Sequence, residues 1–465
     1  MRTSNQTHTE RMLGLLGRYG ILPAAELAQE LQVSRATLSR SVAVAGDRVV
    51  RIGKARNTRY ALRRNIRGES SWPVYRIDTT GQVQSPGTLI ALHGGQFLFE
   101  PQQESHSLLR PPFADGLFPD LPWFLDDQRP QGFLGHSFAH RMAETLRLPA
   151  DLKVWSSEHN LVAMLHGGST QAGDLLLGES ALRSALAESA QPSDLVAAAD
   201  RPQRYPAMAA EVMKGEPPGS SPAGEQPKFT STVDGRDGAR HAAIVKFADA
   251  AAGPGARRWA ALLRCEALAG KVLAASGVAA AQAEILEAAD TVFLESRRFD
   301  RIGRDGRCGY VSLSTIDAAF YGHGAIAWWR FADELERDGW LAATAATDLR
   351  RIAWFGALIG NTDMHLGNAG LMLSNTLPLP LAPVFDMLPT VLAPSSQGVV
   401  VERDFQPPPP TTGQLAPWRW AAAAATGYWH GVETAAVPQI DDAIRRFART
   451  ARERIAQLMM RFGAE

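Results

Sequence analysis

The chain has 465 residues, 45% of them hydrophobic, with 48 Lys and Arg set against 48 Asp and Glu and a mean hydropathy of −0.15. That length exceeds one hydrophobic core and predicts two or three domains. No apolar run approaches the roughly 20 residues of a transmembrane helix, and no signal-peptide h-region opens the chain. Cys265 and Cys308, the only cysteines, provide neither a disulfide framework nor zinc spacing, so the expected location is the cytoplasm and no membrane partner is expected.

The balanced charge hides an asymmetry. Through Arg67 the chain carries 13 Lys/Arg against 4 Asp/Glu, a net of +9, which leaves −9 on the remainder. A separate basic module with an anionic partner follows from that split. In it, Glu10 to Tyr19 has helical periodicity, Pro23 opens a second helix, and Ser34 is placed to cap a third that runs to about Ala43. Two short alternating strands, Val49 to Gly53 and Thr58 to Leu62, flank Lys54-Ala55-Arg56-Asn57. This is the pattern of a winged helix-turn-helix, residues 1–67, with duplex DNA as its partner. Arg35, Thr37 and Arg40 are the groove-facing candidates, and Arg56 and Arg59 the candidates for phosphate or minor-groove contact. A small helical domain with solvated charges is the alternative. Arg63 to Trp72 reads as a linker.

From Pro73 to about Glu100, short alternating runs predict a small sheet. Turns rich in Pro and Gly follow. Between about Leu182 and Glu225 the Ala-, Ser- and Pro-rich composition predicts a mobile surface loop that ends in Gly224-Glu225-Gln226-Pro227-Lys228. Small residues there would let backbone N–H groups approach a phosphate, although the spacing matches neither a P-loop nor a protein-kinase glycine loop. The strand Ala242 to Phe247 carries Lys246 near its end, where a kinase places the lysine that pairs with ATP phosphates; an edge-strand lysine is the alternative. Arg257 to Ser276 reads as a helix carrying Glu266, a partner for Lys246. The strand Thr291 to Glu295 leads into Ser296-Arg297-Arg298-Phe299-Asp300-Arg301. That is the expected crossover between two lobes, where backbone groups would read adenine, with Arg297 and Phe299 on the nucleotide side.

The most informative stretch is Gly360-Asn361-Thr362-Asp363-Met364-His365-Leu366-Gly367-Asn368. An Asp followed five residues later by Asn, on a short loop between apolar elements, is the spacing of a kinase catalytic loop. There the Asp accepts or orients the proton of the attacking hydroxyl and the Asn ligates Mg²⁺. Asp386, within Pro383-Val384-Phe385-Asp386-Met387-Leu388-Pro389, sits where that scheme needs its main Mg²⁺ carboxylate. The alternative is a polar turn whose side chains cap backbone groups. Gln406 to Thr411 reads as extended, and Ile440, Ile444, Phe447, Ile455, Leu458 and Met459 as core.

Taken in order, the Gly-x-Gln-x-Lys loop, the Ile-Val-Lys strand, Arg-Phe-Asp-Arg, Gly-Asn-x-Asp-x-His-x-x-Asn and Phe-Asp-x-Leu-Pro resemble the HipA family, the serine/threonine kinases of type II toxin–antitoxin systems. The resemblance covers roughly residues 100 to 450. It implies an α+β chain in which a bilobal kinase-like fold follows the winged helix-turn-helix, with lobes at residues 73–295 and 296–465. ATP and Mg²⁺ are implied as cofactors, together with a protein substrate and an antitoxin partner. It implies Asp363 as catalytic base supported by His365, Asn368 and Asp386 as metal ligands, Lys246 on the ATP phosphates, and Gly224, Gln226 and Lys228 in the phosphate loop. Autophosphorylation is implied at Ser221, with Ser220 its neighbour. The fused N-terminal module departs from the usual family kinase, whose DNA binding comes from a separate antitoxin, and resembles the YjjJ subgroup. Glu225 and Pro227 depart too, adding charge and stiffness near the phosphates. Two other readings are a transcriptional regulator with an inactive or nucleotide-sensing kinase fold, and a small-molecule phosphotransferase.

Overall fold

The computed structural model describes residues 4–102, 107–167, 170–214, 226–235 and 238–462. Ser220, Ser221, Gly224 and Glu225 therefore lie outside the described residues.

At the N-terminus, helices Ser4–Tyr19, Ala24–Leu31 and Arg35–Ala45 precede the strands Val49–Ile52 and Arg59–Leu62, with Leu22–Pro23 pairing against the last. Ser34 caps the third helix by accepting from the Thr37 amide at 3.2 Å, which satisfies one of the backbone donors that a helix start leaves open. Alternation along the hairpin gives it two buried faces. Val49 and Tyr60 join Met12, Leu16, Leu27, Leu31 and Leu38 under the helices. Val50, Ile52 and Ala61 instead join Ile90, Leu92 and Leu98 of the next sheet.

The segment read as a linker is thus tied down. The Arg64 amide donates to Ala91 O at 2.9 Å, the His93 amide donates to Leu62 O at 2.8 Å, and Ile66 is buried in the main core. A basic module and an acidic remainder gave no hint of this shared apolar layer.

The sheet it joins is antiparallel and five-stranded, in spatial order Leu117–Phe118, Phe97–Pro101, Val83–Ala91, Ser71–Ile77, Leu175–Leu177. A second five-stranded sheet runs Ala283–Ala288, Thr291–Arg297, Arg240–Asp249, Lys228–Asp234, Leu195–Ala197, with the last pair parallel. Of the stretch from about Leu182 to Glu225 expected to be a loop, much is instead helical, within Gly178–Ala190 and Arg201–Met213, and residues 215–225 lie outside the described residues. Alanine-rich segments of this kind have the highest intrinsic helix propensity, and tertiary burial of Tyr205 and Ala209 under the second sheet completes the case.

Helix Arg201–Met213 covers one face of that sheet through Tyr205, Phe229, Val245 and Phe293. Helix Pro254–Ala275 covers the other through Ala260, Leu263, Ala248 and Leu294. Lys246 falls on the second face, between the odd-numbered core positions Val245 and Phe247. The rest of the chain is mainly helical. Helices Ala343–Leu358, Leu415–Thr434 and Asp442–Phe462 pack around Phe355, Trp418, Trp429 and Ile455. Among the described residues no helix is long and apolar enough to cross a membrane.

Leu92 is fully buried in the layer between hairpin and middle sheet. Leu92→Ala should lower unfolding free energy by about 2–5 kcal/mol in denaturant titration. Amides of strands 49–52 and 59–62 should lose exchange protection together with those of strand 83–91.

Candidate active site

Three elements converge on one ammonium. Lys246 Nζ donates to Glu266 Oε1 at 2.7 Å and Oε2 at 2.9 Å, and also to the Asp386 carboxylate. Lys246 comes from the second sheet, Glu266 from the helix packed on its face, and Asp386 from a loop of the helical part, where its φ of 52° is left-handed. A non-glycine residue in that region stores backbone strain, and here the turn presents the carboxylate to the lysine. Lys228 stands directly opposite Lys246 on the adjoining strand.

Burial works against the Lys246 charge, but the Asp386 and Glu266 carboxylates outweigh it and raise its pKa. Burial likewise pushes Asp386 up, yet Lys246 and then Lys228 draw it down to about 2. Glu266 moves the other way. Burial raises it, Lys246 opposes that, and the Asp386 charge reinforces it. One ammonium cannot fully relieve two neighbouring carboxylates, so the more buried one carries the strain.

Across the cleft, the loop after helix Ala343–Leu358 carries Asp363, His365 and Asn368. The Asp363 side chain is 66% exposed and the His365 side chain 60%, with His365 Nε2 4.0 Å from Asp363 Oδ1. Asn368 Nδ2 donates to Asp363 O at 2.9 Å, which leaves its amide oxygen as the atom suited to a cation. His365 Nδ1 accepts from the Gly367 amide at 3.1 Å.

These residues line a single cleft of about 860 Å³ together with Gln226, Lys228, Arg297, Phe299 and Tyr310, a volume within the range of small-molecule sites. Phe299 packs its ring against Tyr310 and Phe385 at 5.7 and 5.8 Å, and Gln226 Nε2 donates to Phe247 O. Arg297 is exposed. The neighbouring Arg298, Asp300 and Arg301 serve structure. Asp300 accepts from Arg298 at 2.7 Å, Arg301 at 2.8 Å and the Gly173 amide at 2.9 Å, and both arginines donate to Gln171 O. That staple fastens residues 170–173 to the second sheet. Burial pushes Asp300 up, and Arg298 and Arg301 more than reverse this, holding it far below the usual carboxylate range.

Several lining residues carried no sequence signal. Asp126, Asp127 and Gln131 reach the cleft from the middle region, where Asp127 accepts from the Ser312 amide at 2.7 Å and burial raises it to about 6. Tyr310 and Thr390 also line the cleft without a local sequence signal.

The N-terminal candidates lie elsewhere. Arg35 and Arg40 are exposed on helix Arg35–Ala45, Thr37 Oγ1 accepts from Arg40 at 3.3 Å, and Arg56 is exposed at the hairpin tip. Arg59 differs: it is ion-paired with Asp115 of the middle region, because its strand lies against that sheet.

Oxygen donors from Asp386 and Asn368, facing a cleft with room for phosphate oxygens, fit a hard divalent cation such as Mg²⁺. That ion takes few protein ligands and completes its shell with substrate and water. Among the described residues no cluster of three His, Cys, Asp or Glu forms a metal cage.

Comparison with known proteins bears on the family and the fold. The "YjjJ-like toxin, middle domain" family matches residues 68–186 and the "HipA-like C-terminal domain" family residues 220–460. Toxin YjjJ of Escherichia coli K12 is 35% identical over 441 residues, covering 94% of this chain and 95% of that protein. A chain of the Shewanella oneidensis MR-1 complex of toxin–antitoxin system HipA, HipB and operator DNA superposes with a TM-score of 0.50. It shares 13% identity and covers 84% of this chain and 97% of that one, a likeness of fold.

The depressed Asp386 pKa has a consequence for stability. A carboxylate lowered from 3.8 to about 2 in the folded state contributes stability above pH 3.8 that is lost as pH falls through about 2. Urea denaturation across that window should show Asp386→Asn losing less stability on acidification than the parent.

Proposed function

Because the chain belongs to the HipA family of toxins, on its YjjJ-like side, we propose that it is an ATP- and Mg²⁺-dependent serine/threonine protein kinase that also binds duplex DNA through its own N-terminal winged helix-turn-helix. The observation that carries the reading is the Lys246–Glu266 pair at 2.7 Å beside Asp386, facing Asp363 and Asn368 across one cleft. Positioning and charge stabilisation, the two things phosphoryl transfer needs from a protein, are what those groups supply.

In this reading Lys246 pairs with ATP phosphates while keeping Glu266, and Gln226 and Lys228 line the phosphate end. Phe299 and Arg297 lie on the adenine side. Asp363 accepts the proton of the acceptor hydroxyl as its oxygen bonds to the γ-phosphorus. The bond from that phosphorus to the β,γ-bridging oxygen breaks, and ADP departs with the electron pair. His365 supports the loop. Asp386 and Asn368 would hold the Mg²⁺, whose charge offsets that developing on the phosphates. Ser221 is the proposed autophosphorylation site, and a phosphate there adds about −1.5 to −2 charge beside the nucleotide.

The proposed organisation is a DNA-binding domain at residues 1–67, an N-terminal lobe at 73–295 and a C-terminal lobe at 296–465. Arg35, Thr37, Arg40 and Arg56 form the DNA face, with Arg59 held by Asp115. A protein substrate and an antitoxin are the further partners.

Incubation with γ-labelled ATP and Mg²⁺, followed by phosphosite mapping, should label Ser221, and Asp363→Ala should slow labelling by roughly 10²–10⁴-fold. Asp386→Ala should lose Mg²⁺-dependent ATP binding, which Asp363→Ala retains. A parent that binds ATP and never transfers phosphate would leave a nucleotide-sensing regulator.

DNA affinity of the full chain should fall steeply with salt. Arg35→Ala or Arg40→Ala should cost about 1–3 kcal/mol at a preferred sequence if a base contact is lost. Salt-independent binding would remove the proposed DNA face.

A further inference from the structure

Asp363 is poorly held by its own side chain, which is two-thirds exposed and 4.0 Å from its nearest ionic neighbour, His365. What fixes it is its backbone. Its carbonyl accepts from Asn368 at 2.9 Å, and its amide donates to Asn361 Oδ1, also at 2.9 Å. Asn361 is 8% exposed and has no part in binding or chemistry above.

We infer that Asn361 is a positioning residue that, through Thr390, locks the turn carrying Asp363 to the loop carrying Asp386. The inference rests on the phosphotransfer reading.

Proton accounting supports it. Thr390 Oγ1 accepts from the Thr362 amide at 2.6 Å and lies 2.9 Å from Thr362 Oγ1 and 3.2 Å from Asn361 Oδ1. The single Thr390 proton must go to Asn361, because an amide oxygen offers none, so the Thr362 hydroxyl donates to Thr390. Asn361 Oδ1 then has both lone pairs filled, one from each loop. Its Nδ2 faces the Asp386 carbonyl oxygen at 3.5 Å and Met387 Sδ at 3.6 Å.

A backbone bond runs alongside, from the Val391 amide to Gly360 O at 2.9 Å. Gly360 has φ +73°, and a Cβ there would lie 2.6 Å from Val391 Cγ1. The two loops are therefore zipped with no room to slide. The Lys246 contact sets where Asp386 sits, and the Asn361–Thr390 link refers Asp363 to it. An asparagine suits the position because it pairs an oxygen for two donors with an NH₂ for the opposing carbonyl. Aspartate would keep the first and lose the second.

The test uses the full chain, with Mg²⁺-ATP affinity by calorimetry, single-turnover transfer from labelled ATP, and amide exchange at Asp363. Asn361→Ala should keep ATP affinity within about threefold, slow transfer by roughly 10–100-fold as sub-ångström misplacement does, and speed Asp363 exchange. Asn361→Asp, which keeps the acceptor, should restore slow exchange and most of the rate. Thr390→Val should slow transfer at unchanged affinity, and it decides the matter should Asn361→Ala not fold. Parental rates in Asn361→Ala and Thr390→Val, or an Asn361→Asp no better than alanine, would overturn the inference. A parent that binds Mg²⁺-ATP without transferring phosphate counts against the kinase reading alone, since Asp363 amide exchange still decides whether Asn361 holds that turn.

Discussion

One ammonium shared by two acidic side chains organises this molecule. Lys246 is 8% exposed and pairs with Glu266 from a helix and Asp386 from a loop of the helical part. Removing the lysine would leave two carboxylates together in a low-dielectric cleft, an arrangement that is costly unless one of them takes a proton. The geometry depends on strand alternation. Odd-numbered residues of strand Arg240–Asp249 build the core beneath helix Arg201–Met213, so Lys246 must face helix Pro254–Ala275. A register slip of one residue would exchange those faces and separate the lysine from both partners.

Buried carboxylates also fasten the elements around that sheet. Glu295, 1% exposed, accepts from Tyr205 at 2.6 Å, Arg201 at 2.9 Å and His241 at 2.9 Å, which fixes helix Arg201–Met213 on the opposite face of the sheet. Asp300 fastens the middle region through Arg298 and Arg301. The N-terminal hairpin is attached by apolar packing instead, with Val50, Ile52 and Ala61 against Ile90, Leu92 and Leu98. The exposed face of helix Arg35–Ala45 is thereby carried on the same packed body as the cleft.

Local chemistry was the legible part of the sequence. The Ser34 cap, the hairpin around Arg56 and the Asp363-to-Asn368 spacing are written within a few residues, as is Lys246 among apolar strand neighbours. The structure gathers Lys246, Glu266, Asp363, Asn368 and Asp386 into one cleft. Long-range packing was not legible. The stretch from about Leu182 to Glu225 reads as a loop from composition, and burial of Tyr205 and Ala209 under a distant sheet favours helix Arg201–Met213 instead. Arg59 reads as a candidate for phosphate contact because Asp115, its partner, lies 56 residues away. Asp126 and Asp127 reach the cleft by tertiary placement alone, and the role of Asn361 depends on Thr390, 29 residues further on.

The role of the Lys246 ammonium is tested most directly by a crystal structure of the full chain with Mg²⁺ and a non-hydrolysable ATP analogue. In it Lys246 should keep Glu266 and turn to the phosphates. Asp386 should leave the ammonium for the metal beside Asn368, and Asp363 should stay on the Asn361 oxygen, facing the γ-phosphate. Nucleotide bound outside this cleft, or Asp386 still on Lys246 with no metal beside it, would contradict these roles.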